Sequence, residues 1–187
     1  MSIEGVEEWV KKYREVAEKE MRGEKSPRPR VKEYTTLDFL NPARPCLSKL
    51  SVDDGKYVVN FRLVRFSELE RIVGRAANTL WYNAGKTLGY LVVDKGVVKD
   101  VDSFIKFVVD QRIGLVDVVK ESSNKLRIHV YECISCSGIP NVGRPVCHFE
   151  GGLIAGVLSK LIKPCVAKET HCWGNGYSFC GFDVIFT

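Results

Sequence analysis

The sequence predicts a mixed α/β protein in which one domain follows a short N-terminal appendage. The chain has 187 residues, of which 45% are hydrophobic and 27% charged, and this is typical of a single soluble globular domain. Segments with a helical hydrophobic period alternate with segments of strand period, and two pairs of strand segments are joined by short turns. We place the appendage at residues 1–33 and the domain at 34–187.

The appendage is predicted to be an amphipathic helix over 3–21 followed by a basic linker. Its apolar side chains recur at helical spacing: Val6, Trp9, Val10, Tyr13, Val16 and Ala17. This face either packs on the domain or forms a dimer contact. The stretch 21–32 has five basic side chains and one acidic one, and Pro27 and Pro29 interrupt it before the domain begins.

The first half of the domain is predicted to be a strand followed by a long helix. Tyr57, Val59, Phe61 and Leu63 alternate with more polar residues, which predicts a strand over 56–64. The S-x-x-E spacing at 67–70 is that of a capping box, and it opens a predicted helix over 68–90. Trp81 and Tyr82 lie in the middle of this helix, either as core aromatics or as ligand contacts.

The second half is predicted to supply two hairpins and two further helices. In chain order these are a helix over 103–113 capped by Asp102, strands over 114–120 and 125–132, a helix over 148–162, and strands over 164–170 and 178–187. The polar turn ESSN joins the first two strands, and Trp173-Gly174-Asn175-Gly176 joins the last two. His129 and Tyr131 share one face of the strand 125–132, either as structural residues or as part of a pocket lining.

The last third of the chain has six of the seven cysteines, and four of its residues have the chemistry of a metal site. Glu169 and Cys172 flank the start of the second hairpin turn, and Cys180 lies on the returning strand. Cys147 would join them from the start of the helix 148–162, where the helix dipole favours a thiolate. Three thiols and a carboxylate suit a tetrahedral divalent ion, and zinc is the default. A site closed by four protein ligands is structural, because no position remains to activate water.

Other ligands and other chemistry stay open at this point. His148 and His171 are neighbours of Cys147 and Cys172, and either histidine would be able to replace Glu169. Cys133 and Cys136 form a separate C-x-x-C that fits a redox pair, half of a second metal site, or two ordinary thiols. Five of the cysteines would also suffice for an iron–sulfur cluster, which takes four thiolates.

Several classes of function are disfavoured by the sequence. No apolar run approaches the roughly 20 residues that span a bilayer, and the N-terminus lacks the order of a signal peptide. We therefore expect a cytoplasmic protein with reduced thiols. Nucleic-acid binding is not favoured, because the basic stretch lacks interleaved aromatic residues. Neither a G-x-G-x-x-G fingerprint nor a recognisable catalytic constellation is present, so the residues do not support an enzyme.

One order of residues in the last third resembles a known family. Pro145-Val146-Cys147 is followed by Gly151, Gly152 and Gly156, then by Lys168-Glu169-Thr170, Cys172 and Gly176, and finally by Cys180-Gly181-Phe182. This order resembles the 4-vinyl reductase domain family, specifically over about 125–187 and more diffusely over 35–125. The family includes archaeal proteins described as hydrocarbon-binding. It is related to the aromatic-sensing domains of bacterial activators, and more remotely to tethering subunits of transport-protein-particle complexes.

The resemblance implies a fold, a metal and a type of ligand. The fold would be an antiparallel sheet flanked by helices with an internal apolar pocket, of the NO-signalling/Golgi-transport ligand-binding type. In the aromatic-sensing relatives a Cys, Glu, Cys, Cys set holds zinc, and these positions correspond to Cys147, Glu169, Cys172 and Cys180. Cys133 and Cys136 have no counterpart in those sensors. The reductase in the family's name is not supported by residues of this chain.

The sequence therefore predicts a small-molecule-binding domain with a structural zinc ion. The ligand would be apolar, aromatic or hydrocarbon, and the candidate contacts are Trp81, Tyr82, His129 and Tyr131. A regulatory role would require a partner protein. Two alternatives remain, a redox or iron–sulfur protein and a homodimeric assembly subunit without a ligand.

Overall fold

The computed structural model describes residues 3–66, 72–120 and 125–187. In these ranges the helices are α1 (Ile3–Met21), α2 (Pro45–Leu50), α3 (Asp54–Arg65), α4 (Ala76–Asp94), α5 (Val101–Asp110) and α6 (His148–Leu161). The strands are β1 (Leu115–Lys120), β2 (Lys125–Tyr131), β3 (Cys165–His171) and β4 (Cys180–Phe186). Short 3-10 helices lie at Thr36–Phe39 and Trp173–Asn175.

The four strands form one antiparallel sheet in the order β1-β2-β4-β3. Both predicted hairpins are present, and β2 pairs with β4 so that Ile128 lies opposite Phe182. The prediction of a mixed fold with an antiparallel sheet flanked by helices is confirmed. The ESSN turn between β1 and β2 lies outside the described residues.

One face of the sheet is covered by α6, and α4 packs on the outer side of α6. Val116, Ile128 and Phe182 point from the strands into this main core, where α6 is almost wholly buried. Glycines let α4 and α6 come together: a Cβ atom on Gly152 would lie 1.9 Å from the carbonyl oxygen of Tyr82, and one on Gly85 would lie 2.0 Å from that of Phe149. The small-residue face of α6 therefore serves helix packing.

The opposite face of the sheet is covered by α1. The rings of Tyr13 and Tyr131 stack with their centroids 5.3 Å apart. The Arg14 guanidinium donates to both carboxylate oxygens of Asp117 on β1, and the Tyr13 hydroxyl donates to Glu132. The sequence left two alternatives for this helix, packing on the domain or a dimer contact. The structure shows the helix packed on the domain of its own chain. No helix in the described ranges combines the length and apolarity needed to cross a bilayer.

The predicted strand at 56–64 is wrong, because these residues belong to helix α3. The buried positions of the segment are Val58, Arg62 and Arg65, which follow a helical period. Tyr57, by contrast, is 60% exposed and Leu63 45% exposed, although the alternation pattern had placed both on a buried face. The helix turns two arginines inward, so its buried face is not recognisable from hydrophobicity.

Two predicted helices also differ in their bounds. The predicted helix 68–90 is interrupted at Gly74, which has a φ of 58°, and the described helix α4 runs from 76 to 94. Its predicted capping box lies outside the described residues. Helix α5 begins two residues before the predicted 103, and its cap is Asp100, whose carboxylate accepts from the Ser103 N–H at 2.7 Å. Asp102 lies in the first turn instead.

Candidate metal centre

Three segments bring five cysteines to one end of the sheet. Cys133 and Cys136 lie in a turn directly after β2, in which the Cys133 carbonyl accepts from the Ser137 N–H at 3.0 Å. Cys147 is the residue immediately before α6, and Cys172 and Cys180 flank the β3–β4 turn. Each of the five is fully buried. We call these five cysteines together with Glu169 the cysteine core.

The sulfurs of the cysteine core are in mutual contact. The Cys147 Sγ atom lies 3.5 Å from that of Cys133, 3.7 Å from that of Cys172 and 3.5 Å from that of Cys180. The Cys136 and Cys180 sulfurs are 3.1 Å apart. Two thiolates on one tetrahedral zinc, with Zn–S bonds of about 2.3 Å, would be about 3.8 Å apart. The distances between these sulfurs are thus close to the distance expected for two thiolates on one zinc ion.

Two groups of four ligands meet the spacing of a metal site, and they overlap. One is Cys147, Glu169, Cys172 and Cys180, the set predicted from the sequence; the other is Cys133, Cys136, Cys147 and Cys180. In each group the ligand atoms all lie within 4.8 Å of one another. Sulfur and carboxylate donors at this spacing fit a borderline-soft divalent ion such as zinc. The cysteine core is therefore compatible with metal binding.

Glu169 presents one carboxylate oxygen to this site. Its Oε2 atom accepts from the Cys147 N–H at 2.9 Å, which fixes the carboxylate beside the cysteines. Although Glu169 as a residue is partly exposed, its Oε1 atom is buried and has no hydrogen-bond partner. A buried carboxylate oxygen without a partner is unfavourable, and a cation would satisfy it.

The thiols of the core do not ionise alike. Burial raises the pKa of Cys147 and Cys180 well above the usual value for a thiol, because a charge there loses its hydration. Burial also acts on Cys172, but hydrogen bonds from Cys136, Cys147 and Cys180 outweigh it and lower the pKa of Cys172 well below that value. Burial raises the pKa of Glu169 as well. Burial therefore opposes full ionisation of the core, and a bound cation would favour it.

Two arginines place positive charge next to the core. The buried Arg62 guanidinium donates to the backbone carbonyls of Phe39, Ile134 and Ser137 at 2.8–2.9 Å. The half-buried Arg28 donates to the carbonyls of 139, 173, 176 and 177 and lies over the ring of Trp173. Within the described part of the chain, neither arginine forms a salt bridge with Glu150 or Glu169. They supply counter-charge for thiolates and hold the loops that bear them.

Sequence reasoning missed Glu150, a buried acid at the edge of the core. Its Oε1 atom accepts from the Ser135 hydroxyl at 2.5 Å and from the Cys133 thiol at 3.3 Å. The signal was present, because Glu150 follows Cys147 by three residues on a helix, and this spacing places both on one face. Burial raises the pKa of Glu150 well above its usual value.

The predicted alternative ligand His171 lies elsewhere. Its ring packs against those of Tyr177 and Phe179, and its Nδ1 atom is 2.9 Å from the Thr170 hydroxyl. Among the described residues, neither His171 nor His148 belongs to a group with metal-site spacing.

The four predicted ligand contacts lie in two places on opposite sides of the sheet. Trp81 and Tyr82 on α4 face α6, where Trp81 contacts Phe149 and the Tyr82 hydroxyl accepts from the Ala167 N–H. His129 and Tyr131 lie beneath α1, where the Tyr131 hydroxyl donates to Asp117 at 3.0 Å and is 3.2 Å from His129 Nδ1. The structure therefore does not bring these four side chains into one pocket.

A groove of about 920 Å³ lies between α1, α5 and β1. In the described sheet β1 is an edge strand, and the groove follows that edge. Its apolar lining comes from Val6, Val10, Ile105, Val109, Val116 and Val118. Its polar lining includes the Arg14–Asp117 pair, together with Glu7, Lys11, Asp102, Ser103, Lys106 and Asp110. We call this the edge groove. Its volume and lining are those of a site for a small, mostly apolar molecule.

Comparisons with known proteins agree with these features. A family model of the 4-vinyl reductase domain matches residues 126–186, a range that contains the whole cysteine core. The chain is 41% identical over 125 residues to the uncharacterised protein MJ1642 of Methanocaldococcus jannaschii, over 66% of this chain and 74% of that protein.

Solved structures with a similar fold come from two other groups. The phenol-responsive sensory domain of the transcription activator PoxR, crystallised with phenol, has a TM-score of 0.51 and 14% identity over 65% of this chain and 70% of that one. A trafficking protein particle complex subunit 3 from Naegleria fowleri, covalently bound to palmitic acid, has a TM-score of 0.42 and 13% identity over 75% and 95% of the respective chains.

Proposed function

Because the chain belongs to the 4-vinyl reductase domain family, we propose that it is a small-molecule-binding regulatory domain whose cysteine core holds structural zinc. The observation that carries the proposal is the convergence of Cys147, Cys172 and Cys180 with Glu169, whose buried Oε1 atom has no hydrogen-bond partner. With four protein ligands the ion has no open position, so it braces the fold. It would tie α6 to the β3–β4 hairpin.

The metal is tested by metal content and thermal stability. Protein purified without added metal is expected to contain zinc, and Cys172→Ser is expected to hold fewer zinc ions per chain and to unfold at a lower temperature. Cys165→Ser is the matched control, because Cys165 is also a buried thiol but lies at the start of β3, beside Ser159 and outside the core. A Cys172→Ser chain that holds as many zinc ions as the unaltered chain, or an unaltered chain that binds no metal, would refute the proposed site. Iron with a thiolate charge-transfer band would favour the iron–sulfur alternative instead.

The ligand we propose is a small apolar or aromatic molecule in the edge groove. Six aliphatic side chains favour an apolar ligand, and the Arg14–Asp117 pair offers hydrogen bonds to one polar group, such as a phenolic hydroxyl. His129 and Tyr131 connect to this pair through Asp117. The phenol found in a sensory domain of similar fold adds support for this class of ligand.

The ligand site is tested by filling the edge groove. A panel of phenols and of short hydrocarbons is screened by thermal shift and by titration calorimetry. Val109→Trp places a ring in the groove and is expected to abolish the response, whereas Val97→Trp, at a residue that is 57% exposed and outside the groove, is expected to preserve it. Binding that survives Val109→Trp would exclude the groove as the site. The predicted homodimer and the role of a partner protein remain predictions.

A further inference from the structure

We propose that the cysteine core takes two divalent metal ions, bridged by the thiolates of Cys147 and Cys180. This inference rests on the metal site of the proposed function and adds a second ion to it. The first ion would be held by Cys147, Glu169, Cys172 and Cys180, and the second by Cys133, Cys136 and the same two shared cysteines. The C-x-x-C pair thereby has a role in metal binding.

The number and arrangement of donors carry the proposal. Two tetrahedra that share an edge need six donors, of which two are common to both ions. The core offers five thiols and one carboxylate, and its two groups of metal-site spacing have Cys147 and Cys180 in common. These two sulfurs are 3.5 Å apart, close to the roughly 3.8 Å of two thiolates on one zinc ion.

Each of the three outer cysteines lies next to a bridging one. On one side Cys133 contacts Cys147 at 3.5 Å and Cys136 contacts Cys180 at 3.1 Å; on the other side Cys172 contacts Cys147 at 3.7 Å. All five thiols are fully buried, so an ion in the first site alone would leave the two thiols of Cys133 and Cys136 in the interior against metal-bound sulfurs.

Charge does not oppose a second ion. Two thiolates at Cys133 and Cys136 balance the two positive charges of a second divalent cation, so this ion and its own two ligands add no net charge to the core. The positive charges of Arg28 and Arg62 next to the core therefore serve both states equally. The bridging thiolates lie between the two cations and reduce their repulsion.

The test is a titration of the metal-free, reduced full-length chain with Co²⁺ alone. Thiolate-to-cobalt absorption counts the bound ions, and electron paramagnetic resonance reports whether their spins are coupled. We expect absorption to rise to two equivalents, while the resonance grows with the first ion and declines with the second, because bridging thiolates couple the spins. Cys133→Ser/Cys136→Ser is expected to bind one equivalent with a persistent resonance, and Cys165→Ser to behave as the unaltered chain.

The outcomes separate this inference from the proposed function. One equivalent in both the unaltered chain and the double variant would overturn the second ion and leave the first site standing. Two equivalents with an undiminished resonance would overturn the bridge. No bound cobalt would refute both proposals. If the double variant does not fold by circular dichroism, the stoichiometry and resonance of the unaltered chain still decide.

Discussion

Replacing Gly152 by alanine should separate two helices that now touch through their backbones. A Cβ atom at this position would lie 1.9 Å from the Tyr82 carbonyl oxygen and 2.9 Å from the Lys86 nitrogen. Ordinary contact begins near 3.4 Å, so the methyl group falls about 1.5 Å short of the room it needs. The obstacle is backbone on α4, which cannot rotate away as a side chain can.

The size of the effect follows from two opposing contributions. Alanine is a better helix former than glycine by about 1 kcal/mol. Overpacking against a rigid neighbour costs about 1–3 kcal/mol and at times more, and the neighbouring glycines Gly85, Gly89 and Gly156 leave the helix pair no room to slide. We expect a net loss of about 2 kcal/mol, which lowers the melting temperature by roughly 4–8 °C for a chain of this length.

The assay is thermal and urea unfolding, with Gly55→Ala as the matched control. Gly55 lies in helix α3 and has no atom within 4 Å of an added Cβ, so this variant should be neutral or slightly more stable. Because α6 begins directly after Cys147, Gly152→Ala should also bind Co²⁺ more weakly. A Gly152→Ala protein as stable as Gly55→Ala would refute the argument from close helix contact.

Three further predictions concern buried polar groups and the N-terminal helix. Burial lowers the pKa of His129 to about 4, so between pH 6.5 and 4 the unfolded chain takes up a proton that the folded chain does not. The free energy of unfolding should therefore decrease by up to roughly 3 kcal/mol as the pH is lowered through this range. In urea titrations at pH 7 and 5, His129→Gln should remove this part of the pH dependence. An unchanged pH dependence would contradict this assignment. Arg62→Met should lose about 3 kcal/mol or more in urea unfolding, because three buried carbonyls lose their donor, whereas Arg22→Met at the surface should change little. Deleting residues 1–25 should lower the melting temperature and expose the Tyr131 side of the sheet to a hydrophobic dye. Light scattering should give an unchanged number of chains per particle. Loss of a dimer would show instead that α1 lies in an interface.

Local patterns were enough to predict the sheet and to bring together four residues of the cysteine core. Glu169, Cys172 and Cys180 belong to one hairpin, so their approach follows from the turn between two strands. Cys147 comes close because it is the residue directly before α6. Each of these arrangements depends on residues that are near one another in the sequence, so the spacing of the residues was enough to predict it.

The positions of the other two cysteines of the core depend on contacts between distant parts of the chain, which the spacing of residues does not reveal. Cys133 and Cys136 join the core because the chain turns at Glu132, a non-glycine residue with a φ of 50°. Glu132 is held there by the N–H groups of Cys46 and Leu47 from a distant part of the chain. The strand predicted at 56–64 failed for a related reason, since its buried face consists partly of arginines that bond to remote carbonyls.

The packing of α1 on the sheet has a consequence for the order of folding. Its bonds join residues far apart in sequence: Arg14 and Asp117 are separated by 103 positions, and Tyr13 and Glu132 by 119. Every donor of the cysteine core, in contrast, lies between Cys133 and Cys180. Closing the longer loops loses more conformational entropy, and this loss comes before the contacts that compensate for it. We therefore predict that α1 docks late in folding, on a sheet that the C-terminal segment has already formed.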